Sequence, residues 1–236
     1  MMEHYETLKN GTVAATDSFS PINSAGPILA SFVNVKDKMR LLDLGTGNGI
    51  IPLWLADRGK KPDITAIDIQ KNALDLLKIS IKRNALENIS VLEADLKTFT
   101  SPKKFDVVCC NPPFFDSSSA IPSDIPSRSI SRFSLYASVF DVTAAAARNL
   151  KDGGSFCCCF EPCGMQRLFK AMEQACFSPR RLLFCRHRDD LEPWLVLIDA
   201  RFRRGEELHI LPDLITESGG EKTKEYREIL WHGVSL

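Results

Sequence analysis

The sequence predicts an α/β fold: a seven-stranded, mostly parallel sheet with helices on both faces and an antiparallel hairpin at its edge. Three observations carry that expectation. Met39 to Ile50 reads as an apolar strand, an acid, and three alternate glycines that open a helix. Short apolar runs then alternate with helical stretches through the middle of the chain, which is the order of β-α units. Finally, Arg181 to Arg186 and Trp194 to Phe202 are two β-rich runs joined through Arg188-Asp-Asp-Leu-Glu-Pro, the pattern of an antiparallel pair.

Taken in order, Thr12 to Pro27 mixes Gly, Ser, Pro and Asn and reads as a loop, followed by a short helix over Ile28 to Val33. Residues 1–36 are expected to form an N-terminal extension that lids a ligand, and residues 37–236 a single domain. Ile50 to Arg58 has helical spacing, with Pro52 in the tolerated first turn and Gly59 as a stop. Ile64 to Ile69 reads as a buried strand. Lys71 to Asn84 then carries Leu74, Leu77 and Ile81 on one helical face. Strands over Ile89 to Glu93 and Phe105 to Cys110 follow, then a helix closing at Asn149, and Asp152-Gly153-Gly154 as its stop. A strand over Ser155 to Phe160 and a helix over Met165 to Cys176 complete the units before the hairpin.

With 236 residues, 44% of them hydrophobic, the chain can bury one substantial core. The 30 Lys and Arg balance the 30 Asp and Glu, so no global field attracts nucleic acid and any RNA contact must come from a local patch. The arginines at 180, 181, 186, 188, 201, 203 and 204 would supply one if the two edge strands pair, with Arg181, Arg186, Arg188, Arg201 and Arg203 as the RNA contacts. A solvated, charge-protected edge is the alternative. No apolar run approaches the roughly twenty residues of a membrane span, and Met1 to Asn10 lacks a signal-peptide core, so a soluble cytoplasmic protein without a membrane partner is expected. The eight cysteines lie mostly in apolar segments and include no C-x-x-C pair, which favours buried reduced thiols over a metal site.

The chemistry concentrates at strand ends. Gly45, Gly47 and Gly49 can take positive φ and let a ligand lie against the backbone near a helix N-terminus. The dinucleotide fingerprint needs its third glycine where this chain has Ile50. Asp43 beside the turn repels phosphates and suits a cation, such as the sulfonium and amino group of S-adenosylmethionine. Asp68 ends the second strand, where a carboxylate can take two ribose hydroxyls; capping the next helix is its alternative role. Asn111-Pro112-Pro113-Phe114 follows the strand expected beside the glycine turn. Two prolines stiffen the loop and remove N–H donors, leaving Asn111 Oδ1 and the Pro112 carbonyl to accept the two hydrogens of an NH2 group. Phe114 offers a face on which a planar base can stack. None of the four histidines is expected in this crevice.

Asp43-Leu-Gly-Thr-Gly-Asn-Gly together with Asn111-Pro-Pro-Phe resembles class I S-adenosylmethionine-dependent methyltransferases of the N-P-P-[FY] type. Leu150-Lys-Asp-Gly-Gly, Glu161-Pro162 and Ile210-Leu-Pro-Asp-Leu-Ile extend the resemblance to the bacterial tRNA(Val) adenine N6-methyltransferase family. That resemblance implies a Rossmann-like sheet, S-adenosylmethionine as cofactor, and methyl transfer to adenine N6 in tRNA, a structured RNA. It implies cofactor contacts at Asp43, Gly45, Thr46, Gly47, Asn48, Gly49, Asp68, Ile69, Asp95, Leu96 and Asn111, and a catalytic segment from Asn111 to Phe114. Turn capping is the alternative role for Asp95. The chain departs from the family where it has Arg132-Phe133-Ser134 in place of Arg-His-Glu, and where its N-terminal aromatic segment shrinks to Phe19 and Ser20-Pro21-Ile22-Asn23. Guanine N2 of rRNA and a protein glutamine amide suit the same acceptor logic. A cofactor-binding module without turnover is the non-enzymatic reading.

Overall fold

In the computed structural model, which describes residues 4–17, 24–112, 137–205 and 207–232, the chain begins with a hairpin of β1 (His4–Thr7) and β2 (Val13–Thr16). The sequence predicts a loop from Thr12 to Pro27, where the structure has β2; tertiary contacts supply what local pattern does not. Val13 donates its N–H to Asn84 Oδ1 and Ala15 donates to Ser80 Oγ, both at 2.8 Å. Helix α1 (Ala25–Phe32) starts ahead of the expected Ile28, and all eight of its residues are buried.

The units that follow are β3 (Arg40–Leu44), α2 (Ile50–Asp57), β4 (Asp63–Asp68), α3 (Lys71–Arg83), β5 (Ile89–Glu93) and β6 (Phe105–Cys110). Next come α4 (Val139–Asn149), β7 (Leu150–Phe160), a 3-10 turn at Pro162–Gly164, and α5 (Met165–Gln174). The chain continues through β8 (Phe177–Arg186), β9 (Leu195–Phe202), β10 (His209–Ile210), β11 (Leu214–Ile215), β12 (Glu217–Ser218), β13 (Glu221–Lys222) and α6 (Lys224–His232). None of the described helices is long and apolar enough to cross a membrane.

The main sheet has the order β10-β8-β9-β7-β6-β3-β4-β5, with β11 also paired to β8, so it holds nine strands rather than the predicted seven. The two extra strands have two residues each, too short to leave a periodic signature, and both pair parallel with β8. The antiparallel hairpin β8-β9 is present as expected, but its outer strand is covered by these additions. Strand β7 runs straight through Asp152-Gly153-Gly154, which the sequence reads as a stop. The extra residues are absorbed in a bulge, since Phe105 pairs with Leu150 and Val107 with Ser155.

Each strand alternates between two cores. Leu41, Val107, Cys109, Cys157 and Cys159 join α1, α2, α3 and α6 on one face of the sheet. Leu42, Leu44, Val108, Cys110, Phe156 and Cys158 join α4 and α5 on the other. Leu8, Ala14 and the residues of α1 pack into the first core. Strand β9 runs antiparallel to β7, with Val196 opposite Phe160. The turn joining β8 to β9 therefore lies at the carboxyl ends of the parallel strands.

Gly49 shows how tightly the turn into α2 is fitted. It has φ +83, and a Cβ placed on it would stand 2.2 Å from Leu77 Cδ1 of α3. Gly49→Ala is expected to cost about 3 kcal/mol, combining left-handed strain with overpacking. At Gly59, φ is +71 but nothing lies within 4 Å of an added Cβ, so Gly59→Ala should cost about 1 kcal/mol. Urea titration of the two variants measures the difference; equal losses would contradict it.

Candidate active site

Four strand ends form one row. Leu44 pairs with Cys110 on one side and Ile67 on the other, and Asp68 pairs with Glu93. The next residues, Asn111, Gly45, Asp68 and Ala94-Asp95, thus leave β6, β3, β4 and β5 side by side, about 5 Å apart from strand to strand. This is the crevice position of an open parallel sheet. A cleft of about 300 Å³, its open mouth included, lies here, lined by Gly45, Ile67, Asp68, Ile69, Ala94, Asp95, Leu96 and Ala137.

The glycine turn is tied down by its neighbour strand: Gly45 and Thr46 both donate N–H groups to the Ile67 carbonyl at 2.9 Å. Gly45, Gly47 and Gly49 all have positive φ, and nothing lies within 4 Å of a Cβ placed on Gly47. The space in front of that residue is open. Thr46 and Asn48 are buried.

Asp68 is 2% exposed. Its Oδ2 accepts the Gly47 N–H and its Oδ1 the Gln70 N–H, each at 2.8 Å. Gln70, not Asp68, occupies the cap position of α3. A carboxylate has about four acceptor positions, so capacity remains for hydroxyls presented from the cleft. Burial raises its pKa above the usual carboxylate range, against the lowering effect of those amides. Asp95 Oδ1 accepts the Lys97 N–H at 2.8 Å, so it stabilises its turn while also lining the cleft. Ile69, 43% exposed, forms an apolar wall suited to a planar base.

Asp43 lies fully buried below the turn. Thr46 donates its hydroxyl to Oδ2 at 2.6 Å, and Cys109 donates its thiol to Oδ1 at 3.4 Å. Burial pushes its carboxyl up to about 6, with the nearby Asp68 charge acting in the same direction.

Asn111 and Pro112 are half-buried at the end of β6. Cys159 on β7 donates its thiol to Asn111 Oδ1 at 2.9 Å. Pro113 and Phe114 lie outside the described residues, as do Arg132-Phe133-Ser134 and Phe19 to Asn23. The sequence gives no signal for Ala137, which enters the cleft from beyond that segment. Ala94 and Ile67 could be inferred as immediate neighbours of Asp95 and Asp68.

The basic patch expected along β8 and β9 is largely neutralised. Arg180 and Arg181 share the buried Asp199 Oδ2, and Arg181 also donates to the Phe32 carbonyl. Arg186 pairs with Asp213, Arg188 with Asp190 and Arg203 with Asp152, while Arg201 donates to the Gly153 carbonyl. Six of the eight cysteines are buried, none forms a disulfide, and no group of His, Cys, Asp and Glu able to hold a metal occurs among the described residues.

A glycine turn and a buried acid at adjacent strand ends, beside the Asn-Pro segment that leaves β6, form the candidate site. The chain belongs to the methyltransferase small domain family, whose sequence model matches residues 14–132. It is 39% identical over 100 residues to the tRNA1(Val) (adenine(37)-N6)-methyltransferase of Glaesserella parasuis, a match spanning 42% of this chain and 43% of that protein. It is 27% identical over 209 residues to the protein of the same name from Dyadobacter fermentans, covering 86% of this chain and 85% of the relative. The crystal structure of a predicted O-methyltransferase from Agrobacterium tumefaciens superposes with a TM-score of 0.71 at 19% identity, over 90% of this chain and 98% of that one. The α/β Rossmann-like methyltransferase fold is thereby shown.

Proposed function

We propose that the protein is an S-adenosylmethionine-dependent N-methyltransferase acting on an exocyclic amino group, adenine N6 in tRNA, in the cytoplasm. The observation that carries this reading is the register Leu44 to Cys110, which sets the Asn111-Pro112 acceptors beside the glycine turn at the same level of the sheet. The tRNA-modifying relatives support the choice of substrate.

The residues present fit the cofactor: a side-chain-free turn at Gly47, an acid with spare acceptor capacity at Asp68, an apolar wall at Ile69, and a second acid at Asp95. When bound, S-adenosylmethionine supplies an electrophilic methyl on a cationic sulfur. Asp68 would hold the ribose hydroxyls, Asp95 the adenine amino group, and Asp43 the positive charge near the turn.

An adenine amino nitrogen is a weak nucleophile because its lone pair is delocalised into the ring. Asn111 Oδ1 and the Pro112 carbonyl would accept its two hydrogens, turning the lone pair outward and stabilising the positive charge that develops on nitrogen. No base is needed before attack; the proton leaves once the nitrogen has become cationic. The target base would be unstacked from the RNA, with Phe114 as the stacking partner. Of the edge arginines, Arg188 and Arg203 keep more than half of their side chains exposed, 54% and 62%, and can turn outward to phosphates.

Tritium transfer from labelled S-adenosylmethionine into total tRNA, with N6-methyladenosine as the labelled nucleoside, tests the reading. Label in N2-methylguanosine or in protein would redirect the substrate. Label in no fraction, from protein that binds the cofactor, would leave a binding module.

A further inference from the structure

We propose that Cys159 is a positioning residue for methyl transfer: its thiol holds the Asn111 amide with the oxygen, rather than the NH2 group, presented to the substrate amine. The inference rests on the proposed function and adds a residue to it.

Strand register brings the two side chains together. Cys109 pairs with Cys157 and Cys110 with Cys158, so the next position sets Asn111 opposite Cys159. Alternation along β7 sends Cys157 and Cys159 into the core on the α1 side and Cys158 into the opposite core. The contact between Cys159 Sγ and Asn111 Oδ1 is 2.9 Å. Cys159 is 0% exposed, so water does not stand in for it. Burial also holds its pKa well above the ordinary thiol value, which keeps the sulfur protonated and able to donate.

The donor matters because an asparagine amide has two nearly isosteric orientations. With Oδ1 toward Cys159, one lone pair accepts the thiol and the other remains for an incoming N–H. Reversed, the amide would present two hydrogens to a substrate group that also presents two hydrogens. The donor next door therefore favours the orientation that can accept. Cys109 stands in the same relation to Asp43, donating to Oδ1 at 3.4 Å on the same face of the sheet. Two buried thiols thus brace two oxygen-bearing side chains, Asn111 in the row and Asp43 beneath it.

Steady-state methyl transfer by full-length protein on the accepted RNA tests the proposal. Cys159→Ala, which removes the donor, should lower kcat about 3- to 10-fold and leave KM for cofactor and RNA within about twofold. Cys159→Ser, which keeps a donor, should retain kcat within about twofold of the parent. In an Asn111→Ala background, Cys159→Ala should cost no further rate, measured in single turnovers. Should Cys159→Ala fail to fold, Cys159→Val takes its place as the variant that fills the site without donating. The proposal is overturned if an active parent loses nothing on Cys159→Ala, if Ser and Ala lose rate alike, or if the losses add in the Asn111→Ala background. A cofactor-binding parent that methylates no substrate removes the proposed function instead, and the inference with it.

Discussion

Asn111→Ala is expected to lower methyl transfer about a thousand-fold while cofactor affinity changes less than about tenfold. The side chain supplies one of two acceptors aimed at charge that exists only as the new N–C bond forms. Losing one such preorganised partner costs on the order of 10² to 10³ in rate. The described cleft is lined by the ends of β3, β4 and β5 and by Ala137, so under the proposed function the cofactor contacts do not need the amide. Single-turnover transfer to RNA, paired with calorimetric titration of S-adenosylmethionine, separates the two quantities. A rate loss under tenfold would remove Asn111 from the chemistry. A collapse of cofactor affinity would make it a cofactor ligand first.

Asp43→Asn is expected to stabilise the unliganded fold by about 1 to 3 kcal/mol at about pH 7.5. In the unfolded chain the carboxyl titrates near 3.8; in the fold, burial holds the proton until about 6. Ionising Asp43 inside the protein therefore opposes folding. This destabilisation grows as pH rises from about 4 to about 6 and is complete above that range, amounting to about 3 kcal/mol for a two-unit difference. The variant removes that slope but leaves an amide NH2 facing the weakly accepting Cys109 sulfur, so the gain is smaller than the full difference. Urea unfolding of both proteins across this range gives the comparison, and an Asn variant less stable than the parent at about pH 7.5 would refute it. The same linkage acts on ligand binding: a cation that needs the ionised acid should bind more weakly as pH falls below about 6.

Much of this was legible before any coordinates. Met39 to Ile50 and Phe105 to Pro112 declare their strands by apolar runs and their turns by Gly and Pro, because in those segments local preference and tertiary placement agree. That the candidate residues Asn111, Gly45, Asp68 and Asp95 share one row at the carboxyl ends of the strands also followed from the expected parallel order. Where the reading failed, long-range contacts decided the outcome. Strand β2 depends on Ser80 and Asn84, more than sixty residues away. Strands β10 and β11 exist because β8 offers them an edge. The arginines read as a patch because sequence lists charges without pairing them; Asp199 and Asp213 become their partners only once β8, β9 and the following segment are assembled. Asp43 reads in the sequence as an acid beside the turn that suits a cation; the hydroxyl and thiol that hold it buried beneath the turn come from Thr46 and from the neighbouring strand.

The antiparallel course of β9 divides the protein's labour. By doubling back between β7 and β8, it returns residues 187–194 to the carboxyl-end rim of the parallel strands, on the far side of Asn111 from the cleft. His187 stacks on Trp194 there, 5.3 Å between ring centres and 8° from parallel. Under the proposed function the methyl donor sits on one flank of this rim, so substitutions in residues 187–194 on the other should alter what is modified without weakening donor binding.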